Sequence, residues 1–177
     1  MTIRTILAAS AAVATLAGCT TLEDLPDDRI GSARIVLANG TPVGTAQIFA
    51  VGDEVRMTLA VTGLSAGERG FHVHETGTCT RPDFTSAGGH LNPQNNPHAG
   101  PNAARTHLGD LPNLTVGSSG SASTTVDLGT GKSRITDAIF DADGSAVVIH
   151  AQADDYTSQP SGDAGSRIAC GVIQRAS

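Results

Sequence analysis

Between residues 75 and 113 the chain shows neither the two-residue period of a strand nor the 3.6-residue period of a helix, and Gly, Pro, Asn and His crowd the stretch. A loop this long is uncommon inside a compact domain, and where one occurs it is usually functional or disordered. Something other than a hydrophobic stripe must organise it.

The flanks read as short strands. Ala33–Leu37 is followed by Asn39-Gly40, a strong hairpin turn. Thr45–Val51 runs into Gly52-Asp53. Val55, Met57, Leu59 and Val61 alternate with Arg56, Thr58, Ala60 and Thr62, the mark of a half-buried strand. Gly70–His74 predicts a fourth strand. Leu114–Val116 and Ala122–Val126 predict a pair around a Gly/Ser turn, Ala146–Ala151 a buried strand, and Gly171–Gln174 the last. Nothing beyond residue 20 has helical periodicity. With 21 Gly and 8 Pro in 177 residues, turns outweigh helices. The expectation is an all-β chain, an antiparallel Greek-key sandwich or barrel of immunoglobulin-like type carrying long loops.

The length suits one domain with a short extension. Met1–Arg4 is a short positive start, and Thr5–Leu16 is a small apolar run too short to span a bilayer. It ends in Leu16-Ala17-Gly18-Cys19, which resembles the lipobox of bacterial lipoproteins, in which the Cys becomes the first mature residue and is acylated. The other reading is a plain secretory signal. Residues 1–18 are thus a signal peptide, 19–31 a lipidated Cys19 and an acidic tether, and 32–177 the domain. Thr20 rather than Asp follows Cys19, and by likeness to Gram-negative lipoproteins this implies an outer-membrane lipid anchor. The chain is then exported to the periplasm or cell envelope, with the anchor as its one membrane contact.

Export leaves two cysteines, Cys79 and Cys170, in a compartment that permits pairing. A bond would close a loop of roughly 90 residues, worth on the order of 4–5 kcal/mol in the chain-entropy model. Two free buried thiols are the alternative.

Composition excludes one class of partner. The net charge is −6, and there is no Trp, one Tyr and four Phe. Neither the basic footprint nor the stacking platform of a nucleic-acid binder is present.

The chain has six histidines: His72, His74, His90, His98, His107 and His150. His72 and His74 lie two apart on a predicted strand, so both leave one face, about 7 Å apart at the backbone, while Val73 faces the core. His-x-His alone is a weak signal. The long loop adds His90, His98, His107 and Asp110, and imidazoles with one carboxylate suit zinc. A metal linking them would organise the loop. His150, ending an apolar strand, would alone read as a hydrogen-bonded core histidine.

Together with their neighbours these residues form motifs. Gly70-Phe71-His72-Val73-His74-Glu75 resembles the copper-site strand of copper/zinc superoxide dismutases. Ser86-Ala87-Gly88-Gly89-His90-Leu91-Asn92-Pro93 resembles the segment with that family's bridging histidine. His98-Ala99-Gly100-Pro101 and His107-Leu108-Gly109-Asp110-Leu111 are similar to its zinc segments, and Gly165-Ser166-Arg167-Ile168-Ala169-Cys170-Gly171-Val172 to its C-terminal signature. The likeness spans about residues 32–175, and the short insertion between Cys79 and His90 looks like the bacterial branch.

The resemblance implies copper held by His72, His74, His90 and His150, and zinc held by His90, His98, His107 and Asp110, with His90 bridging as an imidazolate. It implies a Cys79–Cys170 disulfide, Arg167 beside copper to position superoxide, and Asp154 accepting N–H bonds from His72 and His98. The implied reaction converts superoxide to oxygen and hydrogen peroxide by cycling Cu(II)/Cu(I), with His90 taking up and supplying a proton. The alternative is a copper-binding or copper-delivery module of the same fold without useful turnover. A third reading has metals only pinning the loop.

Some features depart from the pattern. The segment between Asp155 and Arg167 is short and lacks Lys, so steering by local positive potential is weak. Arg81 and Arg105 are candidates to supply some. Leu91 stands where the family often has an aromatic. Monomer and homodimer both remain open.

Overall fold

A computed structural model describes residues 29–176. The signal peptide 1–18, Cys19 and the tether up to residue 28 lie outside the described residues. Ten strands follow in order: β1 (Arg29–Leu37), β2 (Pro42–Val51), β3 (Glu54–Val61), β4 (Gly67–Arg69), β5 (Phe71–His74), β6 (Leu114–Val116), β7 (Ala122–Thr130), β8 (Ala146–His150), β9 (Arg167–Val172) and β10 (Gln174–Arg175). One helix, α1 (Lys132–Ile139), lies between β7 and β8. β1 starts at Arg29, ahead of position 32.

The all-β expectation holds. One antiparallel sheet runs β5-β8-β9-β1-β2-β3-β7, with β10 beside β1, while β4 and β6 form a separate ribbon. The sheet curls into a half-barrel around Ile35, Ile48, Met57, Leu59, Phe71, Val73, Val147 and Ile149. These alternate along their strands with residues of the outer face, as the period-2 pattern requires. The Asn39-Gly40 turn joins β1 to β2.

Three local expectations are corrected. β6 and β7 do not pair with each other: β6 pairs β4 and β7 pairs β3. Their Gly/Ser turn closes through Gly117 N–H to Ser121 O, and then the strands diverge. The last strand starts earlier, at Arg167, and breaks at Ile173 before β10. α1 was not expected. It buries only Ile135 and Ile139, and its first N–H groups are capped from a distance by Asp53, which accepts from Gly131 N at 2.9 Å and Lys132 N at 3.1 Å.

The long loop is folded onto β5. Val73 donates its N–H to Gly109 O and accepts from Leu91 N, at 3.0 and 2.8 Å, and Glu75 N–H reaches Gly89 O at 3.0 Å. The Gly109 contact needs a glycine, because a Cβ there would overlap Val73 O. Apolar anchors help. Leu91 and Leu111 enter the main core, and Phe84 and Ala87 pack with Ala146, Val148 and Cys170 in a second cluster. A disulfide joins Cys79 in the loop to Cys170 in β9, with Cα atoms 5.8 Å apart.

Candidate metal centre

The β5–β8 pairing sets His72 opposite Val148 and His74 opposite Ala146, on the face away from Phe71, Val73 and Ile149. His150 ends β8 in register with Arg167 at the start of β9. The folded loop lays His90 against this face, and the backbones of His74 and His90 form an isolated bridge. All six histidines are buried, as are Asp110 and Asp154.

Two groups result, and they share His90. One nitrogen from each of His72, His74, His90 and His150 lies within 4.8 Å of the other three, and the same holds for ligand atoms of His90, His98, His107 and Asp110. These are the two sets expected from the sequence, brought together in full.

In the first set each ring has one nitrogen engaged and one free. His72 Nε2 donates to Asp154 Oδ2 at 2.7 Å, His74 Nδ1 to Gly88 O at 3.0 Å, and His150 Nδ1 to Gly165 O at 3.2 Å. His90 Nδ1 lies 2.7 Å from Asp110 Oδ1. The remaining atoms, His72 Nδ1 and the Nε2 atoms of His74, His90 and His150, are buried with no hydrogen-bond partner. Buried polar atoms are seldom left so, and four at one point have the form of a metal's ligand set. The hydrogen bonds on the far nitrogens fix which lone pair each ring presents.

In the second set three imidazoles converge on one oxygen. The Nδ1 atoms of His90, His98 and His107 lie 2.7, 3.0 and 3.1 Å from Asp110 Oδ1. A tetrahedral zinc with bonds of about 2.0–2.1 Å sets its ligands about 3.3 Å apart. Three imidazoles and a carboxylate suit zinc, and four imidazoles suit copper. The residues therefore fit both metals.

Asp154 ties the sets together, since its other oxygen faces His98 Nε2 at 3.1 Å. Gly162 lets the following loop lie directly on this carboxylate, for a Cβ there would overlap Asp154 Oδ1. Asn113 holds the Asp154 backbone by two bonds, Nδ2 to Asp154 O at 2.9 Å and Asp154 N to Oδ1 at 2.8 Å. Gln159 does the same for His98, at 2.7 and 3.0 Å.

Burial suppresses the charged imidazoles. It pulls His72 down to about 4 against the Asp154 hydrogen bond, His150 down to about 3, and His74 well below its ordinary value. Neutral rings are what a metal site requires. For Asp110 burial acts to raise the carboxyl, but hydrogen bonds from His90, Thr106 and the His107 N–H overcome it and hold the group well below the usual range. Asp154 is lowered too, again against burial, chiefly by its bond from His72.

A cavity of about 480 Å³ opens over the shared edge of the two sets, lined by His74, His90, His150, Glu75, Pro160 and Arg167 among others. Arg167 faces it and is anchored behind, Nη1 to Phe84 O at 2.7 Å and Nη2 to Gly88 O at 2.6 Å. Arg81 and Arg105 do not reach it. The Arg81 guanidinium lies against the Gly40 turn, and Arg105 bonds Asn96 Oδ1 at 3.3 Å. The cavity wall carries Glu75 instead, whose Oε1 accepts from Gly89 N at 2.9 Å. Sequence reasoning did not single out Asn113, Gln159, Thr106 or the Gly88 and Gly165 carbonyls. Their partners are mostly distant in the chain, and no motif marks them.

Comparison with known proteins agrees with this geometry. The copper/zinc superoxide dismutase (SODC) family matches residues 42–173. The superoxide dismutase-like protein YojM of Bacillus subtilis is 42% identical over 145 residues, covering 79% of this chain and 74% of that protein. Cu-Zn superoxide dismutase 1 of Aquifex aeolicus is 39% identical, covering 80% and 86%. Among solved structures, a Cu/Zn superoxide dismutase from Brucella abortus superposes with a TM-score of 0.66 at 30% identity, covering 81% and 98%. The match runs through every segment that supplies a residue to the two histidine sets, and the chain belongs to the copper/zinc superoxide dismutase family.

Proposed function

We propose that this chain is an exported superoxide dismutase, with copper held by His72, His74, His90 and His150, zinc by His90, His98, His107 and Asp110, and His90 shared between them. The observation that carries this reading is the four unpartnered buried nitrogens that meet beside the cavity. Bound copper supplies the one-electron couple through which two superoxide anions and two protons become oxygen and hydrogen peroxide.

The protein's own groups have distinct tasks. Arg167 is a fixed cation on the cavity wall, and its planar donors hold a small anion near the free nitrogens. His90 Nε2 is the atom placed to hold and release a proton, because Asp110 and its neighbours keep the ring in place through Nδ1. Asp154 and the Gly88 and Gly165 carbonyls orient the other rings, so that little reorganisation accompanies turnover. The Cys79–Cys170 bond and the Leu16-Ala17-Gly18-Cys19 motif support a place in the cell envelope on a lipid anchor, guarding that space against superoxide.

The test is direct observation of superoxide decay by the protein loaded with copper and zinc. The expected result is strong acceleration that disappears when copper is removed and returns when it is restored. Both metals bound without acceleration would overturn the reading and leave a copper-carrying module.

A further inference from the structure

Asp110 divides its two oxygens. Oδ1 faces the three imidazoles, whereas Oδ2 is enclosed by protein donors: the Thr106 hydroxyl at 2.6 Å, the His107 N–H at 3.0 Å and the Ala99 N–H at 3.3 Å. Thr106 Oγ1 also lies 2.8 Å from Ala99 O. It has one proton to give, and the carboxylate is both the nearer and the stronger acceptor. A carboxylate oxygen has about two lone-pair sites. With three donors on it, Oδ2 is saturated and has nothing left for a metal.

We propose that Thr106 is a positioning residue that keeps Asp110 a one-oxygen ligand and so fixes the coordination number, and the metal preference, of the site formed by His90, His98, His107 and Asp110. This rests on the reading of that site as a zinc site. Zinc in a closed site is four-coordinate, whereas cations that accept both oxygens of a carboxylate take six to eight ligands. Holding Oδ2 away excludes the second kind. Two of the three donors are backbone groups. Thr106 is the only side chain among them and makes the shortest bond, so it is where the amino-acid sequence exerts this control.

Thr106→Val keeps the shape of the side chain and deletes the donor. The expected result is a loss of zinc affinity of about 10- to 100-fold in chelator competition, the range for losing a hydrogen bond behind a metal ligand. The visible bands of the Co(II)-substituted protein, intense for a tetrahedral ion, should weaken as the released carboxylate adds its second oxygen. Thr106→Ser should restore both. A valine variant with the parent's zinc affinity and Co(II) spectrum would overturn the proposal. So would a serine variant as impaired as the valine, because packing rather than the hydroxyl would then be at work. Asp110→Ala separates this from the zinc reading. If it loses zinc while Thr106→Val does not, only the role of Thr106 falls; if it retains zinc, both fall.

Discussion

His74 and Arg167 end on the same atom: the Nδ1–H of the imidazole and the guanidinium Nη2 both donate to Gly88 O, at 3.0 and 2.6 Å. One carbonyl thus aims a ring of the first histidine set and anchors the cation of the cavity wall. The segment that presents this carbonyl is itself tied to β9 by the Cys79–Cys170 bond. Ring, cation and loop are held as one unit.

Arg167→Ala should therefore slow superoxide decay by about 10- to 100-fold, the scale of a lost local guiding charge, with both metals still bound. Arg167→Lys keeps the charge but cannot span Phe84 O and Gly88 O together, and should fall between the two. Elemental analysis beside the rate measurement checks this. Loss of metal from the alanine variant would show that the anchoring contacts, rather than the charge, dominate.

Asp154→Asn should weaken both metal sites. Asp154 accepts from His72 Nε2 and His98 Nε2, and an amide in its place offers one acceptor and one NH2 group, which opposes the second ring's N–H. Affinities for zinc and copper should drop about 10- to 100-fold each. Competition with a chromophoric chelator reads both, and unchanged affinities would remove Asp154 from the role assigned to it.

The metal-free protein should lose stability as the pH falls from about 6.5 towards 4. Unfolded imidazoles titrate near 6.5, while burial holds His72 to about 4 and His150 to about 3. In this window the unfolded chain binds more protons than the folded one, so acid favours unfolding by about 1.4 kcal/mol per pH unit for each such imidazole. Asp110 and Asp154, held below the ordinary carboxylate range in the folded protein, add to the same slope only at its acid end, where their counterparts in the unfolded chain begin to take up protons below about pH 5. Urea unfolding midpoints at pH 7, 6 and 5 give the answer, and a flat series would contradict neutral burial.

Turnover should depend only weakly on salt. The cavity wall carries Glu75 as well as Arg167, and Asp83 acts on the same guanidinium, while the chain carries −6 overall. Without a net positive field at the cavity there is little attraction to screen as the Debye length falls from about 30 Å at 0.01 M to about 8 Å at 0.15 M. Rates over that range should change by less than about threefold. A steep fall with salt would point to a positive potential elsewhere on the surface.

Much of this centre is legible in the residues, and the reason differs from place to place. His72 and His74 could be put on one face because a strand has period 2, and Val73 does enter the core between them. The loop ligands had no such rule, and only their resemblance to a family's motifs, in order, drew them together. The contacts of Asp154 with His72 and His98 appeared as that resemblance implied. Asn113 and Gln159 were invisible because each pairs with backbone 41 or 61 residues away. α1 escaped notice for a related reason: its cap, Asp53, lies 78 residues before Gly131, and two apolar positions make too short a stripe to read. Arg81 and Arg105 do not line the cavity, because charge in a loop says nothing about where the side chain folds back.

The way Val73 bonds to Gly109 and Leu91 has a consequence for how these molecules coexist. β5 is an end strand of the sheet, and a bare strand edge is a template on which another chain can pair. Here that edge is occupied by the same segment that carries His90, His107 and Asp110. Residues that gather the metals thus lie on the segment that closes this sheet edge to another chain.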